Sequence, residues 1–348
     1  MQRKLIPIFY LIFFMTSAVF SGAEKPVSKD FVFPYNGHEF ILTYEGTHDV
    51  HKSNASLKRC VFSHHGGSRT PDAYFEHMVT ALKQTADERD NPALERETMV
   101  IAPHMLSKEC YEKNRDRYNT GHYPYWDGRW RGGIDSENSP KISNFACMDK
   151  MILEIHQNYP NIKIFVFAGH SAGGQILSRY SLSNTVHDSL AADGCHVRYV
   201  IANPSSFVYL DDYRPDLDKE SGFIRVTQDP CDSVAFNDWK YGVNNIFPYP
   251  ASTSVTTMVE KFRNREIVVL LGTKDNDPKH EGLDKKCPGM LQGRTRLERG
   301  LRYYEYLGFF YGKDVYSTKF LALVPGIGHH GGEMFQSDVG KYWIFFPE

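Results

Sequence analysis

No stretch of this 348-residue chain repeats at a period of 20–50 residues, and none is of low complexity. Those absences exclude solenoids, propellers and other repeat arrays. Charge of one sign is also missing: 40 Lys and Arg stand against 42 Asp and Glu, a formal net charge of −2. With no long basic block, no nucleic-acid partner is expected. Cysteine is sparse, six in all, and neither a CxxC pair nor CxxC…HxxxH spacing occurs. The usual structural zinc frameworks are thereby excluded. The apolar run from Leu5 to Phe20 is short for a membrane span and contains Pro7.

Arg3 and Lys4 precede that run, and Ser21-Gly22-Ala23 follows it with small residues at the positions a signal peptidase reads. Residues 1–23 are therefore expected to be a cleaved secretory signal. Losing its two cations takes the formal charge from −2 to −4. The remainder, 24–348, is 41% hydrophobic and 24% charged when taken with the leader, an ordinary globular balance. We expect a single domain, secreted or periplasmic, with no stable membrane insertion after cleavage. An even set of cysteines behind a signal favours disulfides: Cys60, Cys110, Cys147, Cys195, Cys231 and Cys287. Six allow 15 complete pairings. Cys231–Cys287 is the first pair expected, because both lie in surface-like sequence flanking an apolar run at 266–271. Cys60 sits in a strand-like run and reads equally well as a buried thiol.

Short apolar runs recur along the chain. Residues 31–35, 39–44, 59–63, 98–102, 162–168, 197–202, 266–271 and 319–324 read as strands. Helical patterns lie between them at 71–86, at 144–158 with Phe145, Met148, Ile152 and Ile155 on one face, and at about 172–182. Leu297, Leu301 and Tyr304 share another helical face. Continuously apolar strands alternating with amphipathic helices predict an α/β fold with a mostly parallel central sheet covered on both faces. Residues 205–263, rich in Pro, Asp, Asn and aromatics, break the rhythm and read as a lid-like insertion over one end of the sheet. The charges of the 144–158 helix, Asp149 and Glu154 among them, read as a solvated face.

One strand ends in Gly169-His170-Ser171-Ala172-Gly173-Gly174 and is followed at once by a helix. A serine there, between glycines, is raised on a sharp strand-to-helix turn, and the helix start points at it. A serine hydroxyl needs a base, and the base needs an orienting carboxylate. Two later strand ends supply both in the required chain order. Gly272-Thr273-Lys274-Asp275-Asn276-Asp277-Pro278 offers Asp275, nearer the strand, or Asp277. Pro325-Gly326-Ile327-Gly328-His329-His330 offers His329 or His330. Asp275 and His329 are preferred. The Ala172 amide and a backbone amide of His64-His65-Gly66-Gly67-Ser68, first of all Gly67, are the expected oxyanion donors. No cofactor and no metal are expected; adjacent histidines seldom share one ion.

These four segments, GHSAGG, HHGG, GTKDNDP and PGIGHHGG, each ending a predicted strand, resemble the α/β-hydrolase family of serine hydrolases. The resemblance covers essentially all of the mature chain. In general outline it is similar to secreted poly(3-hydroxybutyrate) depolymerase-like and feruloyl or acetyl esterase-like enzymes. It implies hydrolysis of carboxylic esters, small or polymeric, through an acyl-enzyme, with Ser171 as nucleophile, Asp275 as acid and His329 as base. Two aspartates stand in the acid loop where the simple pattern has one. A secreted serine peptidase of the same fold and a catalytically inactive binding protein are the alternatives. Tyr123, Tyr125, Trp126, Trp130 and Arg131, and Asn237-Asp238-Trp239-Lys240-Tyr241 in the insertion, either stack on a substrate ring or pack the insertion onto the sheet.

Overall fold

The structure, a computed structural model, describes residues 24–346. The expected signal segment, 1–23, lies outside the described residues. The strands are β1 (Lys29–Tyr35), β2 (His38–Gly46), β3 (Arg59–His64), β4 (Thr98–Pro103), β5 (Ile164–His170), β6 (His196–Ala202), β7 (Tyr213–Pro215), β8 (Phe223–Arg225), β9 (Glu266–Gly272) and β10 (Lys319–Val324). Eight form one sheet in the order β1-β2-β4-β3-β5-β6-β9-β10. β1 pairs antiparallel with β2, and β2 with β4; from β4 to β10 all neighbours are parallel. The opening hairpin turns through Asn36 and Gly37, both at positive φ (48° and 78°), the pair of conformations that a two-residue turn between twisted strands needs.

Side chains of the central strands alternate between two buried layers. Phe165 and Phe167 of β5, Phe62 of β3 and Ile267, Val269 and Leu271 of β9 face one core. The helices Asn144–Asn158, Ala172–Ser183 and Arg296–Tyr311 close that core. Val166 and Ala168, Val61, and Val268 and Leu270 face the other, beneath the helix Pro71–Glu88 and the C-terminal helices Gly331–Gln336 and Asp338–Phe345. Burial on both faces explains why these strands show continuous apolar runs instead of alternation. Each fully buried large side chain contributes roughly 1.5–3 kcal/mol of transfer free energy.

The 205–263 segment does more than cover the sheet. Phe207, Val208 and Tyr209 are fully buried, and Phe207 stacks on Tyr303 with ring centroids 4.3 Å apart. Its end is the helix Val255–Asn264, which puts Met258 and Phe262 into the core. Between these two anchors runs an irregular stretch with the small β7–β8 hairpin. The aromatics before the 144–158 helix pack it down: Trp126 and Trp130 are buried, and the Trp239 Nε1–H donates to the Gly132 carbonyl at 2.7 Å.

Cys231 and Cys287 are disulfide-bonded, with Cα atoms 5.5 Å apart, tying the insertion to the loop after β9. Cys60, Cys110, Cys147 and Cys195 are buried free thiols. Six cysteines thus do not give three bridges. Cys60 and Cys147 are fixed in a strand and a helix of the core, where their side chains pack among apolar neighbours.

Asp149 corrects the solvated-face reading of its helix. It accepts hydrogen bonds from the Tyr180 and Tyr249 hydroxyls at 2.6 and 2.5 Å. Burial pushes its carboxyl up to about 6, against the pull of those two donors. A folded-state value above the unfolded one means that the charge is tolerated worse in the fold. Stability is therefore expected to be lost as pH rises from about 4 through 6. Thermal unfolding of wild type and Asp149→Asn across pH 4–8 checks this. The wild type should lose about 2 kcal/mol relative to the variant over that range, and a pH-independent difference would refute it.

Candidate active site

β5 ends at His170 and the next helix starts at Ala172, leaving Ser171 alone in the turn at φ 59°, ψ −115°. A non-glycine residue held there costs on the order of 1–3 kcal/mol of backbone strain. The neighbours leave no room for side chains. A Cβ on Gly169 would strike the Gly173 carbonyl, and one on Gly173 the carbonyl of His64 at the end of β3. One on Gly174 would lie 2.7 Å from the Ala202 oxygen. The Ser171 amide donates to that same Ala202 carbonyl at 2.9 Å. The turn is thus clamped between the ends of β3 and β6, and Ser171 projects from it.

His329 and Asp275 meet Ser171 across the strand ends. The Nε2 of His329 lies 2.9 Å from the Ser171 Oγ, and its Nδ1 lies 2.6 Å from the Asp275 Oδ2. A carboxylate accepts only, so Nδ1 carries the proton and Nε2 is left to accept from the serine hydroxyl. Burial lowers the His329 pKa, while the bond to Asp275 works the other way; the net direction is downward, so the ring is a neutral base near pH 7. For Asp275, burial opposes ionisation. The hydrogen bond and charge of His329 and the charge of Arg296 outweigh it and hold the carboxyl below its ordinary value. The rival residues are occupied elsewhere. Asp277 is exposed and accepts from the Lys279 amide at 2.8 Å, and His330 caps the helix Gly331–Gln336 by accepting from the Glu333 amide.

Sequence reasoning missed the residues that hold this arrangement. Arg296, fully buried, donates to the second oxygen of Asp275 at 3.1 Å and to the Ser205 hydroxyl at 3.0 Å. Asn203, at positive φ after β6, accepts from the Gly272 amide at 2.9 Å and donates to the Gly328 carbonyl at 3.2 Å. One side chain thereby joins the acid loop to the histidine loop. The two loops also touch directly: the Lys274 amide donates to the Ile327 carbonyl at 2.8 Å, and a Cβ on Gly272 would lie 2.6 Å from that oxygen. The only sequence signal for Arg296 was a cation at the start of an amphipathic helix, which normally reads as surface.

Ser171 and His329 open into a cleft of about 1180 Å³. Gly67 and Ala172 line it as well, so the segment after β3 and the helix start face the same space. The Tyr74 hydroxyl packs against Gly66, 2.6 Å from where a Cβ there would lie, and sits 3.0 Å from the His170 Nδ1. His65 is buried, with Nδ1 on the Gly66 carbonyl and Nε2 accepting from the Met105 amide. Among the described residues, no group of three or more His, Cys, Asp or Glu is placed to hold a metal ion. No described helix is long and apolar enough to cross a membrane.

No protein-family model matches the sequence, and no curated protein matches it. Solved structures do. Poly(aspartic acid) hydrolase-1 from Sphingomonas sp. KT-1 aligns with a TM-score of 0.58 at 20% identity, over 92% of this chain and 100% of that one. LpqC, a poly(3-hydroxybutyrate) depolymerase from Bordetella parapertussis, aligns with a TM-score of 0.56 at 17% identity, over 88% of this chain and 87% of that one. The chain has the α/β-hydrolase fold. In an α/β-hydrolase sheet, ligands are met outside the carboxyl ends of the strands. That is the edge from which β3, β5, β9 and β10 send out His64–Ser68, Ser171, Asp275 and His329.

Proposed function

We propose that this protein is a secreted serine hydrolase that cleaves carboxylic esters through an acyl-enzyme. The hydrogen-bonded series Asp275–His329–Ser171, ending on a strained strand-to-helix turn, is the observation that carries the reading. The Ser171 Oγ attacks the ester carbonyl carbon while the His329 Nε2 takes its proton. The carbonyl oxygen becomes an oxyanion facing the amides of Ala172 and Gly67. Asp275 fixes the histidine tautomer and stabilises the imidazolium. Collapse breaks the bond to the alkoxy oxygen, which leaves with the proton from His329, and the acyl group stays on Ser171. Water then repeats the sequence on the acyl-enzyme and releases the carboxylic acid.

A serine-directed fluorophosphonate tests this with no knowledge of the natural substrate. Ser171 should be the one residue labelled, as found by peptide mapping. The labelling rate should fall with acidification through a value below 6.5, as His329 takes up a proton. Labelling at another serine, or none, would remove the reading.

A further inference from the structure

The cleft is lined by four cations, Arg129, Arg131, Lys240 and Lys286, against two acids, Glu281 and Asp284. The charges are not equally engaged. Arg129 is paired with Asp127 at 2.7 Å. Asp284 is taken by Lys240 at 2.9 Å and by the Tyr241 hydroxyl at 2.8 Å. Arg131 stands apart. Among the described residues its guanidinium has one hydrogen-bond acceptor, the Gly128 carbonyl at 3.3 Å, and its Nε is buried with none. Arg69, by contrast, donates to the carbonyls of Met105, Leu106, Trp126 and Asp127, all within 3.0 Å. Arg131 is half-buried: its Nε is withdrawn from water while its terminal nitrogens line the cleft with most of their donors unengaged by the protein, free for a ligand.

Its position is fixed by its neighbours. The carbonyls flanking it are held, that of Trp130 by the Asn144 amide at 2.7 Å and that of Gly132 by the Trp239 indole at 2.7 Å. Its guanidinium leans on the Trp130 ring, 5.6 Å from the centroid. One terminal nitrogen lies 3.9 Å from where a side chain on Gly67 would begin, so the idle donors sit beside the expected oxyanion loop. A planar fork prepared in this way suits a carboxylate, which it can hold through two parallel hydrogen bonds.

We propose that Arg131 receives a carboxylate carried by the substrate, so that the cleft selects esters bearing an anionic group near the scissile bond. The inference rests on the hydrolase reading and adds the substrate class to it. Lys286, exposed at the rim, adds a second positive charge that draws such a substrate in.

Two matched pairs of aryl esters test it, each corrected for spontaneous hydrolysis. On the acyl side these are mono-4-nitrophenyl adipate and 4-nitrophenyl 6-methylheptanoate. On the leaving-group side they are 4-acetoxybenzoate and 4-isopropylphenyl acetate. In at least one pair the wild type should favour the anion, and Arg131→Gln should lower the anionic-to-neutral ratio of kcat/KM by about 10–100-fold. Arg131→Lys, which keeps the charge and loses the fork, should fall in between, and it serves alone if the Gln variant does not fold. An unchanged ratio in both pairs overturns the proposal, even if both rates drop together, because that is what an oxyanion or packing role would give. Adipate binding to Ser171→Ala, measured by calorimetry with Arg131 intact and with Arg131→Gln, needs no turnover. The second protein should bind at least about tenfold more weakly. If the wild type cleaves none of the four esters, the hydrolase reading fails, and equal adipate affinities would then overturn the anion site as well.

Discussion

Ser171→Ala is expected to fold and to lose ester hydrolysis by at least about 10³-fold in kcat. In the proposed route the Ser171 hydroxyl carries the acyl chain, so no partial version of that route survives its removal. What remains is hydrolysis helped by binding and by the amides of Gly67 and Ala172. Folding should be untouched, because the clamps on the turn are backbone contacts: the Ser171 amide to Ala202 and the close approach of Gly173 to His64. Kinetics on a short-chain 4-nitrophenyl ester, beside circular dichroism, decide the matter. Full activity in a folded Ser171→Ala would end the hydrolase hypothesis.

Asp275→Asn should cost roughly 10³-fold or more in kcat, and Asp277→Asn less than about tenfold. The asymmetry follows from where the two carboxylates lie. Asp275 is buried and shared between His329 and Arg296, and an amide there would offer His329 a donor or a weaker, neutral acceptor. The imidazole would lose its fixed tautomer, and the imidazolium its counter-charge. Asp277 is exposed and closes only a local turn onto Lys279. Removing Asp275 also leaves Arg296 buried without its anion, so part of the loss should appear in thermal stability, and kcat must be measured on protein shown to be folded. A crippled Asp277→Asn beside a near-normal Asp275→Asn would reverse the assignment and leave the hydrolase reading standing.

Much of this arrangement could be read from the chain because its signals are local. The strand at 164–170 is an apolar run, and Gly169, Ser171 and Gly173 follow within a few residues, so the turn and its steric logic lie in one short segment. The order Ser171, Asp275, His329 falls on the ends of β5, β9 and β10, and the hydrogen bonds join those same residues. The bridge Cys231–Cys287 was legible because both cysteines lay outside apolar runs. Other features depended on contacts distant in sequence. Arg296 looks like a surface cation until the fold places it against Asp275, 21 residues earlier. Asp149 looks solvated until Tyr249, 100 residues later, covers it. The insertion read as a cover because its polar and aromatic composition hid two buried ends, Phe207–Tyr209 and the Val255–Asn264 helix. The short helices at Val186–Ala192 and after His330 carry too few residues to show a period.

The amide of Asn203 has a mechanical consequence. Because it grips both Gly272 and Gly328, and Lys274 grips Ile327, Asp275 and His329 are carried by one stiff bracket bolted to the end of β6. The wall that faces them is carried by other parts: the stretch around Trp239 to Tyr241 and the turn bearing Arg131. The loop after β9 is tied to that wall by Cys231–Cys287 and by Asp284, which holds Lys240 and the Tyr241 hydroxyl. On the proposed reading, the groups that react and the groups that select what reacts sit on different parts of the fold. Changes confined to wall side chains such as Arg131 leave the Asn203 and Lys274 bonds of the bracket in place.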